Sequence, residues 1–239
     1  QSDGSEIEIP PAAFAALLLE PGTRVTHEAV RLCAENSTQL IWVGEGCTAF
    51  YAVGLSHQNS ARVLVQARIA AQGGELRIEA ARRLYTLMFG DLPPPSNSIE
   101  KLRGIEGARV RAWYQEQAKI HQIAWTGRAS DAPIQQAMSF ASGCLYHCAS
   151  VAVAVLGCCP CLGVVHSGDS RSFAFDVADT LKFSGLGPHV FRWFAEDRIS
   201  SYAEIRRRCR DLFRSEGYLD QLMQNIDGIL NGVNDHHTQ

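Results

Sequence analysis

The 239-residue sequence lacks a large excess of either charge, because it has 25 acidic and 22 basic side chains and a formal net charge of −3. Proteins that hold nucleic acid through bulk charge are usually basic. The composition therefore gives no general indication of a nucleic-acid partner. Any surface that attracts phosphate must come from local clusters of arginine or lysine.

The sequence also lacks an uninterrupted hydrophobic span. Its most apolar stretch, from Cys148 to Val165, reads CASVAVAVLGCCPCLGVV and is broken by Gly157, Pro160 and Gly163. The two pieces are too short to cross a bilayer, so they predict a buried helix, a turn and a second buried segment. No secretion signal, internal repeat or low-complexity tract is visible. We expect a cytoplasmic protein with no membrane contact.

No disulfide framework is expected, although the chain has eight cysteines. Such frameworks belong to small secreted chains, and most of these cysteines lie in apolar runs where a free thiol packs as a small hydrophobe. A structural zinc at Cys158, Cys159 and Cys161 is an alternative. Three cysteines in four residues do not easily form one tetrahedral site, so reduced thiols are favoured.

The pattern predicts an α+β protein, with a small β-rich N-terminal domain followed by a larger all-α C-terminal domain. Strand-like runs at 14–20, 39–44 and 48–53, with a helix at 26–36, place the β-rich domain at residues 1–57. A polar linker at 54–62 leads into the helical domain, residues 58–239. Helical periodicity then predicts helices at about 61–73, 75–90, 97–121, 134–157, 172–183, 187–196, 201–215 and 218–231.

A carboxylate interrupts the apolar face of helix 97–121. Glu106 falls among apolar residues at helical spacing, and Gly104 and Gly107 beside it leave room for a ligand. The predicted apolar residues are Ile99, Leu102, Val110, Trp113 and Ile120. An unpaired buried charge costs several kcal/mol, about 3 or more. Glu106 therefore either binds a ligand or pairs with Arg103 or Arg109.

A histidine and two further acids flank another apolar stretch, 163-GVVHSGDSRSFAFDVADTLKF-183. Asp176 and Asp179 share one helix face, and the turn after His166 can fold the imidazole back over that helix. The alternative is a histidine with ordinary structural partners. Together with Glu106, these residues suit an oxygen-preferring divalent cation with one imidazole ligand, Mg²⁺ or Mn²⁺.

Arginines cluster at two places. Arg24 and Arg31 lie in the predicted β-rich domain, and 205-IRRRCRDLFR-214 carries five arginines on one short helix. Such density can bind a phosphate backbone despite the acidic average. The alternative is a solvated helix face paired with Glu204, Asp211 and Glu216.

With these residues assembled, the sequence resembles the first CRISPR-associated (Cas) protein family of type I-E systems, the integrases of the adaptation complex. The resemblance is carried by 19-LEPGTRVTHEAVRL-32, 102-LRGIEGARVRAWY-114, 143-GCLYHCASVAVAVL-156, 163–183 and 209-CRDLFRSEGYL-219. These stretches follow the family order through nearly the whole chain.

The resemblance implies roles for individual residues. The metal ligands fall on Glu106, His166 and Asp179, Asp176 matches a second acidic position, and Tyr146 matches a tyrosine beside the site. Positions that contact DNA in the family match Arg24, Arg31 and Arg206. The family also implies a homodimer formed across the β domains. Two dimers would flank a dimer of a small ferredoxin-like Cas partner, giving a heterohexamer.

The implied activity is a Mg²⁺- or Mn²⁺-dependent DNA integrase and endonuclease. It would join the 3′-hydroxyl of a double-stranded foreign fragment, the prespacer, to a phosphodiester at the leader–repeat boundary of the CRISPR array. The alternative is an inactive member that serves as a DNA-binding scaffold. Ala49 and Asp169 stand where the family carries an arginine and a lysine. We also expect further family strands before Gln1 and note a short loop between 127 and 132.

Overall fold

The computed structural model describes residues 8–54, 60–71, 74–127, 132–197 and 201–231. Its N-terminal part is a three-stranded sheet with the order β1-β2-β3: β1 Ala16–Leu19, β2 Gln39–Val43 and β3 Phe50–Gly54. Helix α1, His27–Glu35, connects β1 to β2, which run parallel. Strand β3 returns antiparallel to β2 after a 3₁₀ turn at Glu45–Cys47.

The rest of the described chain is helical. Its helices are α2 Ser60–Ala71, α3 Glu75–Phe89, α4 Ile99–Ile120, α5 Pro133–Val155, α6 Ser172–Leu181, α7 Gly187–Asp197, α8 Tyr202–Ser215 and α9 Tyr218–Leu230. A π-helical turn, Lys182–Leu186, joins α6 to α7. The predicted class, a small sheet followed by a helical region, is confirmed. The predicted linker lies partly at 55–59, outside the described residues.

Helix α5 is the centre of the core. It packs against α6, α7, α8 and α9, and it also contacts β3. By length and composition it could cross a membrane, but 56% of its most apolar window is buried inside the fold. Its apolar character is thus accounted for by the neighbouring helices.

The sheet and the helices share one apolar core, because Ile41 and Val43 of β2 belong to the same cluster as the helical core. Polar contacts reinforce this junction. Arg214 of α8 pairs with Glu20 at 2.8 Å, and Arg210 pairs with Glu45 at 2.6 Å. The division at residue 57 remains a prediction.

One expectation and one alternative for α4 were wrong. Ile120 was expected on the buried face, but it is 57% exposed, because it lies at the last residue of the helix. Arg109 does not curl back to Glu106. Both of its terminal nitrogens donate to the Asp91 carboxylate at 2.9 Å, across the loop that joins α3 to α4.

All eight cysteines are free thiols. Cys158 is buried in the core, whereas Cys161 is exposed and its Sγ lies 3.2 Å from that of Cys159. The three thiols therefore do not face one common point, and the geometry offers no support for the zinc alternative.

Candidate active site

The five residues predicted to act in chemistry line one cavity of about 180 Å³. Glu106 comes from α4, Tyr146 from α5, His166 from the loop before α6, and Asp176 and Asp179 from α6. The remaining lining residues are Leu84, Tyr85, Met88, Arg103, Val165, Lys182 and Phe183. Residues far apart in sequence thus meet at one place.

Asp176 is fully buried, and both of its carboxylate oxygens are occupied. Oδ2 accepts hydrogen bonds from the backbone nitrogens of Val164 and Val165, and Oδ1 accepts one from the His166 nitrogen at 3.0 Å. A buried carboxylate requires such partners, since it would otherwise be too costly to desolvate. Asp176 therefore fixes the loop that carries His166.

Gly163 makes this arrangement possible by its lack of a side chain. A Cβ at this position would lie 2.3 Å from the His166 carbonyl oxygen and 3.0 Å from Oδ2 of Asp176. From α3, Arg77 Nε donates to the Val164 carbonyl at 2.7 Å. The loop is thus held against α6 on one side and tied to α3 on the other.

The His166 ring is oriented by the same aspartate. Its Nδ1 lies 2.7 Å from Oδ1 of Asp176, which leaves Nε2 as the ring nitrogen available to a ligand. The hydrogen bond to Asp176 raises the pKa of His166, and burial only partly offsets this effect. The ring also contacts the edge of Phe175, with centroids 5.9 Å apart. Metal-binding histidines commonly form such a hydrogen bond between the ring nitrogen that does not bind the metal and a carboxylate.

Asp179 and Tyr146 meet at the ammonium group of Lys182. Lys182 Nζ donates to the Tyr146 hydroxyl at 2.9 Å and lies 3.4 Å from Oδ1 of Asp179. The lysine side chain is 9% exposed. Burial alone would lower its pKa, but the Asp179 carboxylate and Tyr146 outweigh burial and raise the pKa above the ordinary value. The site thus contains a positive charge between two predicted functional groups.

Glu106, Asp179 and His166 offer two carboxylates and one imidazole that is hydrogen-bonded to a carboxylate. These are the types of ligand that Mg²⁺ or Mn²⁺ requires. In the described part of the chain, however, no three His, Cys, Asp or Glu side chains are gathered closely enough to form a ready-made metal site. The salt bridge with Lys182 gives one physical reason, since the ammonium already neutralises Asp179. A cation entering the cavity must compete with it.

The predicted DNA-contacting arginines lie outside this cavity. Arg24 is exposed in the segment between β1 and α1. Arg31, on α1, is bracketed by Glu28 and Glu35 and pairs with both, so its charge is already balanced.

Arg206 lines a separate groove of about 330 Å³ between α8 and the sheet. Its guanidinium lies 5.5 Å from the centroid of the Phe140 ring. Within the described residues, neither Arg206 nor the adjacent Arg207 forms an ion pair, whereas Arg208 pairs with Glu204 on the same helix. No ion pair among the described residues therefore neutralises Arg206 or Arg207. The predicted pairing along the helix holds for Arg208 with Glu204 and for Arg210 with Asp211, whereas Arg214 pairs with Glu20 outside the helix.

The charges of Arg171 and Arg206 both act on His147, which neighbours Tyr146 on α5. Burial, and then these two charges, lower the pKa of His147. The two positions that depart from the family pattern lie beside the same two arginines. Ala49 lines the Arg206 groove, and Asp169 pairs with Arg171 at 3.6 Å.

Sequence reasoning missed Lys182 and Tyr85 and assigned Arg103 only as a partner for Glu106. Lys182 follows Asp179 at the i,i+3 spacing of helical ion pairs, a signal that could have identified it. Tyr85 carried no such signal, because an aromatic residue between Leu84 and Met88 is expected in any helix core.

The comparisons with known proteins agree with the resemblance. The family model described as CRISPR associated protein Cas1 matches residues 88–205. The CRISPR-associated endonuclease Cas1 of Escherichia coli (strain K12) is 39% identical, over 95% of this chain and 77% of that protein. The corresponding protein of Geobacter sulfurreducens is 36% identical, over 95% of this chain and 76% of that protein.

Among solved structures, a crystal structure of a TtCas1–DNA complex superposes with a TM-score of 0.84. It is 36% identical, and the match covers 94% of this chain and 87% of that chain. The sequence matches and the structural match thus both extend over most of this chain. The chain belongs to the CRISPR-associated Cas1 family.

Proposed function

We propose that this protein is a DNA endonuclease and integrase of CRISPR adaptation that depends on a divalent metal ion. The observation that carries the proposal is that Glu106, His166 and Asp179 line one cavity. Curated relatives bear the name endonuclease, and a similar structure was solved with DNA. Double-stranded DNA, as prespacer and as leader–repeat, is the proposed substrate.

In the proposed reaction, the 3′-hydroxyl oxygen of a prespacer attacks a phosphorus atom at the leader–repeat boundary. A new P–O bond forms as the attacking hydroxyl loses its proton, the P–O3′ bond to the leader nucleotide breaks, and the released leader 3′-oxygen takes a proton. When water replaces the attacking hydroxyl, the same chemistry is endonuclease cleavage. A bound Mg²⁺ or Mn²⁺ would supply positive charge to the phosphate. Glu106, Asp179 and Nε2 of His166 would hold that ion.

The other residues of the cavity act by positioning. Asp176 keeps the His166 ring turned so that Nε2 faces the cavity, as its contact with Nδ1 requires. Lys182 fixes the Tyr146 hydroxyl, which is then set to orient the scissile strand. Arg206 and Arg207 would bind backbone phosphates away from the reacting atoms, and Arg24 and Arg31 are weaker candidates for the same role.

We further propose that the chain acts as a cytoplasmic homodimer, joined through its β region, within a heterohexamer that includes a small ferredoxin-like Cas partner. An integration assay with and without that partner tests the assembly. If integration is equally efficient without it, the assembly proposal is wrong.

The decisive experiment replaces the three proposed ligands. We expect Glu106→Ala, His166→Ala and Asp179→Ala each to abolish joining of a 3′-hydroxyl prespacer to an array plasmid in Mn²⁺. Glu116→Ala is a matched control, because Glu116 is exposed on the same helix as Glu106. If all three variants retain activity while the fold is intact, the site is wrongly assigned.

The alternative function is a non-catalytic DNA-binding scaffold. Ala49 in the Arg206 groove and the salt bridge between Lys182 and Asp179 favour it. Calorimetry with Mn²⁺ separates the two proposals. A scaffold binds DNA but neither takes up the ion nor cleaves, whereas the enzyme does both.

A further inference from the structure

Tyr85 has an unsatisfied hydroxyl group in the wall of the catalytic cavity. The residue lies on α3, is 3% exposed, and lines the same cavity as Glu106, His166 and Asp179. Its hydroxyl is buried and has no hydrogen-bond partner in the described structure. Buried polar groups nearly always have a partner, so such an exception requires an explanation.

The second tyrosine of the cavity makes the contrast clear. The Tyr146 hydroxyl accepts a hydrogen bond from Lys182 at 2.9 Å, so it is already engaged. Among the described residues the Tyr85 hydroxyl has no such partner, although Glu106 and Asp176 line the same cavity. Burial, and then the charges of Glu106 and Asp176, raise the pKa of Tyr85, so the group keeps its proton at neutral pH. In the described part of the chain this hydrogen-bond donor meets no acceptor.

The unfilled acceptor position is best explained by a ligand. If Tyr85 were only a core aromatic, phenylalanine would fill the same volume without burying an unpaired oxygen. The cavity of about 180 Å³ is large enough for several atoms beyond the protein. An oxygen atom that enters it would meet the proton of Tyr85 on one side and the proposed metal ligands on the other.

We propose that Tyr85 is a further catalytic residue, whose hydroxyl donates a hydrogen bond to a ligand oxygen in the cavity. That oxygen belongs either to water that hydrates the divalent ion or to the phosphate of the DNA strand. Both are electron-rich acceptors that a neutral phenol can bind without adding charge. The inference rests on the proposed function and names one more group that acts in it.

The test is Tyr85→Phe, which removes only the hydroxyl. Tyr218→Phe is the matched control, because Tyr218 is also 3% exposed but does not line the cavity. We expect the Tyr85→Phe variant to melt at or above the wild-type temperature, since an unpaired buried oxygen has been removed. A structural role for the hydroxyl would lower the melting temperature instead.

Two further measurements identify the oxygen. Calorimetry with Mn²⁺ alone reports on hydration water, and cleavage of duplex DNA at saturating Mn²⁺ reports on the phosphate. Loss of one hydrogen bond predicts a reduction of about tenfold in Mn²⁺ affinity, or in kcat with KM unchanged.

Either reduction, absent from Tyr218→Phe, supports the proposal. Wild-type behaviour of Tyr85→Phe in both measurements overturns it. If wild-type protein itself neither binds Mn²⁺ nor cleaves DNA, the proposed function is what has failed.

Discussion

A single carboxylate oxygen of Asp176 contacts His166 at both its backbone nitrogen and its imidazole ring. Oδ1 lies 3.0 Å from the His166 backbone nitrogen and 2.7 Å from its Nδ1. One carboxylate oxygen therefore fixes both the main chain and the ring. The imidazole is therefore oriented from α6, the helix that carries Asp176.

Replacement of this carboxylate by an amide, Asp176→Asn, should damage both stability and metal binding. An amide nitrogen must face either backbone N–H donors or Nδ1, and in the second case the ring proton moves to Nε2. We expect a loss of about 1–3 kcal/mol in the free energy of unfolding. The Mn²⁺ affinity should fall by about 10–100-fold.

Urea denaturation and calorimetry measure the two effects. Asp220→Asn, an exposed change on α9, serves as the control. Unchanged Mn²⁺ affinity in Asp176→Asn would show that the carboxylate does not orient His166.

Lys182 occupies the position of a cation next to Asp179, so Lys182→Met should have opposite effects on folding and on metal binding. Without the ammonium, the nearly buried Asp179 carboxylate loses its partner. The free energy of unfolding should therefore fall by about 1–3 kcal/mol. Mn²⁺ no longer competes with the lysine, so its affinity and the rise in melting temperature that it produces should both increase.

Thermal unfolding with and without Mn²⁺ tests this, with Lys119→Met, at an exposed position near the end of α4, for comparison. A smaller Mn²⁺-induced rise than in wild type would contradict the competition.

Gly163 and Gly104 should respond to alanine in opposite directions. At Gly163 a Cβ would collide with the His166 carbonyl oxygen at 2.3 Å, whereas at Gly104 nothing lies within 4 Å. We expect Gly163→Ala to destabilise the fold by about 1–3 kcal/mol. Gly104→Ala should stabilise α4 by about 0.5–1 kcal/mol.

The Gly104→Ala variant also tests whether the space beside Glu106 is used by a ligand. If a ligand approaches α4 there, Gly104→Ala lowers DNA cleavage despite its greater stability. Equal cleavage by Gly104→Ala and wild type would mean that this space is not used.

Arg206 and Arg31, both predicted to contact DNA, should differ in importance. Arg31 is already paired with Glu28 and Glu35, while Arg206 has no ion pair in the described structure. Arg206→Ala should reduce the slope of log affinity against log salt by about 1. Arg31→Ala should change it less. Fluorescence anisotropy with duplex DNA over a salt series measures both, and a larger effect at Arg31 would reverse the assignment.

Sequence periodicity predicted the helices well, because their apolar faces repeat at helical spacing and their ends carry clear signals. Ser98, which follows three prolines at 93–95, caps α4, and its hydroxyl accepts a hydrogen bond from the Lys101 nitrogen at 3.2 Å. The prediction of helix 172–183 was less accurate at its C-terminal end. Its last turn is π-helical, and no propensity distinguishes such a turn from ordinary helix.

The members of the site could be predicted, but their partners could not. Glu106, His166 and Asp179 stand out because each is polar in an apolar pattern. Lys182 and Tyr85 do not, since only the packing of α3, α5 and α6 around one cavity reveals what they face. Likewise, the partner of Arg109 proved to be Asp91, a pairing that depends on the path of a loop.

The π-helical turn at Lys182–Leu186 makes the length of this segment as important as its composition. Such a turn holds one residue more than an α-helical turn, and each helical residue accounts for about 100° of rotation. Two aromatic side chains fill the space beside it, since a Cβ at Gly185 or Gly187 would meet Tyr218 or Trp113. A deletion of one residue here would rotate α7 against α6 and carry Val190 and Phe191 out of the core. The spacing between Asp179 and α7 is therefore a constraint on any insertion or deletion in this protein.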